Sequence, residues 1–313
     1  MHKTSGLRKL RSNNLNTGCN RRGHVPLHLL GSLCFALLCA ASHPSLAAPF
    51  SLTEQWQLLS PGIEVKELVV HPEALFPSRI LFARLATART RMRVLTAEAF
   101  GYKQLSAREV AIHSGASLTI NANFFDDKGA PLGVVISQGV LQHRAHRSGR
   151  TLSGVFQLSD KGFFIIHRDS FSPRGVIEAV QAGPRLTIQS QPVPGVRDTL
   201  STRRAGVCVT KTSDVIVFCV SSGLFTLDIP SLQTLLTSPA IGCVDTLNLD
   251  GGGSAQLFAR GPEGDVSVEG IDRVPIFLGF FSTEPVGEAT GGVTKIGETK
   301  MESLPLKATP SAN

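Results

Sequence analysis

Aromatic residues are scarce in this chain. They make up 6 % of 313 residues, with one Trp and one Tyr. Cysteines number six, and three of them, Cys19, Cys34 and Cys39, lie in the first 47 residues, so a disulfide-dense miniprotein is excluded. The remaining three, Cys208, Cys219 and Cys243, do not have the spacing of a zinc site. Gly-x-Ser-x-Gly is absent, as are Gly-rich nucleotide loops of the usual form, which removes the common serine-hydrolase and nucleotide-binding readings. Outside the leader no run is long and apolar enough to span a bilayer. Acid is also missing from residues 1–47, which hold Lys3, Arg8, Lys9, Arg11, Arg21 and Arg22. Taking those six from 31 basic residues leaves 25, against 24 acidic ones. The sequence pI of about 9.3 therefore belongs to the leader, and a nucleic-acid-binding body is disfavoured.

What is present is ordinary globular chemistry, 42 % hydrophobic and 18 % charged. The leader runs from a basic flank through Val25–Ala41, which carries no Asp, Glu, Lys or Arg, to the small residues Ser45-Leu46-Ala47-Ala48. That is the pattern of a secretory signal peptide cut after Ala47 or Ala48, or of an uncleaved anchor. The first reading places the body in the periplasm or outside the cell. A membrane enters only through the second. Residues 286–313 are poor in large apolar side chains and read as a disordered tail.

Residues 50–285 read as one α+β domain with a mixed, strand-rich sheet and few short helices. Ser106-x-x-Glu109 is a capping box, with Gly115 as the stop. Ser231 is placed to cap a second helix through Leu235 and Leu236, which Pro239 ends. Val207–Val220 reads as a hairpin around Thr212-Ser213-Asp214. Cys208 and Cys219 flank that turn, either as a disulfide or as two buried thiols. Cys243 reads as a buried free thiol.

Four segments carry candidate chemistry. In Asn248-Leu-Asp-Gly-Gly-Gly-Ser254, strand alternation puts Thr246, Asn248 and Asp250 on one face and Leu247 and Leu249 toward the core. The glycines let the backbone turn and let a ligand approach main-chain N–H groups, which suit a phosphate or a developing anion. The plainer reading is a tight turn with Asp250 stabilising it. In Thr119-Ile-Asn-Ala-Asn-Phe-Phe-Asp126, Thr119, Asn121 and Asn123 share a face, a polar site or a water-facing sheet side. Val180-Gln-Ala-Gly-Pro-Arg185 is a strand-end turn. Thr202-Arg-Arg-Ala-Gly206 offers an Arg that could fork onto phosphate oxygens or lie solvated at a strand edge. His143-Arg-Ala-His146, with Arg144, Arg147 and Arg150, reads as a basic loop able to line a cleft, and not as a metal site.

Taken in order, these four segments resemble the phosphodiester glycosidase domain family, over residues 117–281 and more closely its bacterial members. The family more often has glycine at Ala122-Asn123, and often Asn or a small polar residue at Ala205. The resemblance implies a hydrolase that cuts between a sugar's anomeric carbon and a phosphodiester. It implies Asp250 as the carboxylate and Arg204 as its catalytic partner. Arg204 would hold phosphate with the N–H groups of Gly251, Gly252 and Gly253; which of Arg203 and Arg204 points inward stays open. Asn121, Asn123, Gln181 and Asn248 would meet sugar hydroxyls, with Gly183 and Ser254 lining the same site. Asp126 is the candidate second carboxylate. No cofactor is expected, although oxygen ligands around Asp250 would accept a divalent cation. The partner would be a sugar-phosphate or polysaccharide substrate of an envelope or exopolysaccharide. The alternative is a non-catalytic carbohydrate- or envelope-binding protein on the same fold.

Overall fold

Short alternating strands with glycine-rich turns favour hairpin pairing, and the chain uses it throughout. The computed structural model describes residues 50–52, 55–70, 75–196, 203–221 and 227–283. These belong to one unit, Ala47–Asn313. The leader (1–47) and tail (286–313) readings lie outside the described residues.

In chain order the strands begin with β1 (Phe50–Leu52), β2 (Gln57–Ser60), β3 (Ile63–Val70), β4 (Ser78–Leu85), β5 (Thr90–Thr96) and β6 (Leu118–Asn121). They continue with β7 (Val135–Ser137), β8 (Val140–His143), β9 (Gly154–Ser159), β10 (Gly162–His167), β11 (Val176–Ala182), β12 (Arg185–Ile188) and β13 (Gln191–Pro192). The last are β14 (Arg204–Thr210), β15 (Val215–Val220), β16 (Cys243–Asn248), β17 (Leu257–Ala259), β18 (Val266–Val268) and β19 (Ile276–Ser282). A nine-stranded sheet runs β1-β3-β4-β15-β14-β16-β12-β13, with β2 on β3. Two five-stranded sheets run β10-β9-β11-β7-β8 and β18-β17-β6-β19-β5.

The expected mixed sheet is corrected: every strand pair among the described residues is antiparallel. Parallel neighbours need long crossovers, usually helical, and this chain is mostly β with two α-helices among the described residues. Helix α1 (Ala107–Ser114) has both capping-box hydrogen bonds and ends at Gly115 in the left-handed region. Helix α2 (Ile229–Thr237) starts one turn earlier than Ser231 implies. Asp228 caps it, its carboxylate accepting the Ser231 N–H, and Pro230 occupies the first turn, where no N–H is needed.

The main core draws Ile63, Ala83, Leu118, Phe156, Val207, Leu247 and Leu278 from all three sheets. The opposite face of the large sheet is covered by α2, with Phe82, Phe218, Leu232 and Leu236. Each such side chain contributes about 1.5–3 kcal/mol by leaving water. Glu178 bridges two sheets inside this packing. Its carboxylate accepts the Val94 N–H (2.8 Å) and the Gln138 N–H (3.1 Å). Burial pushes its pKa up against those bonds.

The cysteine readings are also corrected. Cys208 forms a disulfide with Cys243, so Cys243 is not a free thiol, and Cys219 is the buried free cysteine. The hairpin register pairs Cys208 with Ile216 and Cys219 with Ala205. Cys208 packs on the α2 side and Cys219 in the main core, on opposite faces of the sheet. The β14–β16 ladder instead brings Cys208 and Cys243 to a Cα separation of 5.7 Å.

Candidate active site

Three strand ends bracket the glycine turn after β16. Leu249 N–H donates to Ala205 O (2.9 Å), beside the start of β14. Asp250 N–H donates to Ala122 O (3.0 Å), just past β6. Asn248 N–H donates to Pro184 O (3.1 Å), in the β11–β12 turn. Asp250 is thus fixed at its backbone from both sides. Gly252 takes a positive φ of 60°, and its N–H donates to Arg203 O (2.9 Å).

The Asp250 carboxyl sits mostly out of water. Burial pushes its pKa up to about 6; hydrogen bonds from the Ser254 side chain and the Gly251 N–H oppose this, and the nearby Asp272 charge adds to it. A carboxyl titrating there can exchange a proton near neutral pH, as a general acid or base must.

Asp272 is a carboxylate near Asp250 that sequence reasoning missed. The expected candidate, Asp126, is exposed, and its Oδ1 accepts the Lys128 and Ala130 N–H groups of its own turn. Asp272 comes from the turn before β19. Ile271 and Asp272 N–H groups both donate to Gly253 O (2.9 Å). A Cβ at Gly253 would collide with Asp272 Oδ2, so glycine there admits this carboxylate. Nothing in Gly270-Ile-Asp-Arg-Val-Pro275 separates Asp272 from an ordinary turn aspartate. Its signal is the fold's return of this turn to the glycines.

All four expected amides make hydrogen bonds to backbone groups. Asn121 donates to Asp250 O (2.7 Å) and accepts the Gln256 N–H (3.0 Å). Gln181 accepts the Val134 and His146 N–H groups and donates to His146 O and Leu152 O. Both are buried, and the Gln181 amide is fully engaged by backbone. Asn123 donates to Val134 O and Gln181 O, and Asn248 to Leu249 O and, at 3.4 Å, to Gly183 O. The Oδ1 atoms of Asn123 and Asn248 are buried without a hydrogen bond. Gly183, at a φ of 150°, lies where a Cβ would strike Thr151 O. These residues build the site's frame.

The N–H groups of the turn are partly engaged as well. Gly251 serves Asp250 and Gly252 serves Arg203. The two arginines separate. Arg203 donates from Nη2 to Ala255 O (2.8 Å) and to Glu269 O, tying the turn to the segment after β18. Arg204 opens β14. The register of β14 on β16 runs from Thr210–Cys243 to Gly206–Asn248, two residues short of Arg204. Gln256, also missed, links the frame to α1: its Oε1 accepts the Ala107 N–H (2.6 Å), and its Nε2 donates to Ser254 O and Asp272 O. Among the described residues no group of three or more His, Cys, Asp or Glu is arranged to hold a metal ion, and no helix is long and apolar enough to cross a membrane.

A family model described as phosphodiester glycosidase matches residues 114–281, more than half of the chain. The chain belongs to the phosphodiester glycosidase family. No curated protein sequence matches it. Among solved structures it is similar to the zebrafish N-acetylglucosamine-1-phosphodiester alpha-N-acetylglucosaminidase catalytic domain auto-inhibited by pro-peptide. That match has a TM-score of 0.56 at 15 % identity and covers 75 % of this chain and 89 % of that one. A hypothetical protein from Synechocystis matches with a TM-score of 0.47 at 17 % identity, over 71 % of this chain and 62 % of that one. At 15 % identity the zebrafish match is a likeness of fold. The match begins near the Asn121 strand and ends on β19, so this phosphodiester glycosidase-family segment contains Asp250, Asp272 and the whole frame around them.

Proposed function

We propose that this family member is an exported hydrolase that cleaves the glycosidic bond of a sugar-1-phosphodiester in an envelope or extracellular glycan. The observation that carries the reading is the Asp250 carboxyl, buried at the mouth of the glycine turn with its pKa near 6. Above that pH the ionised carboxylate accepts a proton from water as the water oxygen bonds to the anomeric carbon. The bond from that carbon to the phosphodiester oxygen breaks, and the phosphate leaves as an anion. A phosphate is a good leaving group, so the reaction needs little acid assistance. Charge on the phosphate needs a cation, and we assign that role to Arg204, which opens β14. Asp272 tunes Asp250 through its charge. Export rests on the leader's sequence pattern.

The test is hydrolysis of α-linked N-acetylglucosamine-1-phosphodiester and related sugar-phosphate diesters by the purified protein, beside Asp250→Asn, with and without a chelator, in 18O-labelled water. The expected result is free sugar carrying the label, lost in the variant. Label in the phosphate would move the cut to the P–O bond. Sugar release unchanged in Asp250→Asn would overturn the assignment of the carboxylate. No release by a folded protein across the panel would favour the binding role.

A further inference from the structure

A cavity of about 370 Å3 opens beside this site, between the loop after β5, the turn at 126–131, β8 and the start of β19. Tyr102, Lys103, Lys128, Gln142, His143 and Ile276 are among its walls. Its position follows from backbone bonds. Ile276 O accepts the Ala122 N–H, and Ala122 O accepts the Asp250 N–H, both at 3.0 Å. Two strand spacings, about 10 Å, therefore separate the cavity wall from the Asp250 backbone. Asp272 lies three residues before the wall residue Pro275 in the chain.

The chemistry of the walls is that of a saccharide site with a taste for charge. Lys103 and Lys128 are exposed, and neither pairs with a carboxylate among the described residues. Glu98 is the acidic residue among the walls, so two lysines face one carboxylate. Lys128 does not wander freely at its backbone, because Asp126 holds its N–H and that of Ala130. Tyr102, the chain's single Tyr, is held from behind by the His113 ring at 5.3 Å. A fixed ring with lysines beside it suits an apolar sugar face flanked by negative charge. Gln142 adds an amide with both a donor and an acceptor, and His143 is anchored through Nδ1 to Gly133 O at 2.8 Å.

We propose that this cavity is a subsite for an acidic saccharide, the sugar ring against Tyr102 and a phosphate or carboxylate between Lys103 and Lys128. Its assignment as part of a substrate cleft rests on the glycosidase reading; binding itself does not require turnover. The substrate is then an anionic glycan that reaches beyond the scissile bond.

Calorimetric titration of the full-length protein tests this with three probes: a phosphomannan oligosaccharide, an oligogalacturonate and a neutral mannan oligosaccharide. At least one charged probe is expected to bind tenfold or more tighter than the neutral one, and the pair of charged probes separates phosphate from carboxylate. The double variant Lys103→Gln/Lys128→Gln is expected to lose at least tenfold for that probe, and Asp250→Asn to keep it. Both lysines are exposed, and unchanged thermal melting would show that the variant folds. Equal binding of charged and neutral probes, no binding, or charged binding untouched by the lysine changes would overturn the proposal. So would charged binding lost in Asp250→Asn alone. Turnover of a short sugar-1-phosphodiester by the lysine variant should match the parent. If that turnover is absent from both proteins while charged binding stands, the hydrolase reading fails and the subsite survives.

Discussion

Replacing Asp250 with Asn should make the protein more stable at neutral pH while removing its activity. The Asp250 carboxyl moves from an ordinary 3.8 to about 6 on folding, with burial the largest cause. Between those values the folded state holds a proton that the unfolded state has released. Stability therefore falls as pH rises from about 4 to about 6 and stays at the lower level above. The difference of about two pH units corresponds to about 3 kcal/mol. Asparagine removes the buried charge but keeps an oxygen that can accept the Ser254 and Gly251 hydrogen bonds. Weakening those bonds takes back about 1 kcal/mol. A net gain of about 1–2 kcal/mol should raise the melting temperature by about 2–8 °C at pH 7.5. Near pH 4 the gain should shrink toward zero, because the parent carboxyl is then neutral in the folded state. Parallel melts of both proteins from pH 4 to pH 8 make the check, since titrating groups that do not interact with Asp250 cancel in the difference. A variant that melts lower than the parent at pH 7.5, or a difference that ignores pH, would refute the buried-carboxylate reasoning.

Hydrolysis should show an acid limb near pH 6, with the rate at pH 5 about one-tenth of the plateau, because only the ionised Asp250 accepts the proton. Asp272→Asn should move that limb to lower pH in a kcat/KM profile, since the Asp272 charge helps hold Asp250 up. Gln181→Leu leaves the buried Val134 N–H and Leu152 carbonyl and the part-buried His146 N–H and carbonyl without this partner, and should cost about 2–3 kcal/mol in a denaturant titration. Cys208→Ser/Cys243→Ser opens a loop closed over a sequence separation of 35, with an expected loss of about 4 kcal/mol by chain-entropy reckoning, read the same way.

Local chemistry was legible from the chain alone wherever the cause is local. The capping box at Ser106 and Glu109, the stop at Gly115 and the hairpin at Thr212–Asp214 depend on neighbours a few residues away. Asp250 and its glycines could be singled out because strand alternation and backbone freedom are properties of a short segment. Pairing across the fold was not legible. Cys208 found Cys243 and not Cys219 because sheet register, which no short spacing encodes, sends residues eleven apart to opposite faces. The amides at Asn121 and Gln181 have the composition of a ligand site in sequence. In the fold they are enclosed by backbone groups that would otherwise stay unpaired, and a buried amide satisfies those first.

The sequence by itself determined the strand-rich body and the local caps and turns, since each follows from neighbouring residues. Tertiary structure alone decided that the turn before β19 comes back against Gly253, setting Asp272 beside Asp250. It alone decided that Arg203 braces the turn through Ala255 O and Glu269 O. Burial and charge proximity set a carboxyl's proton affinity, and both are made by segments far apart in the chain.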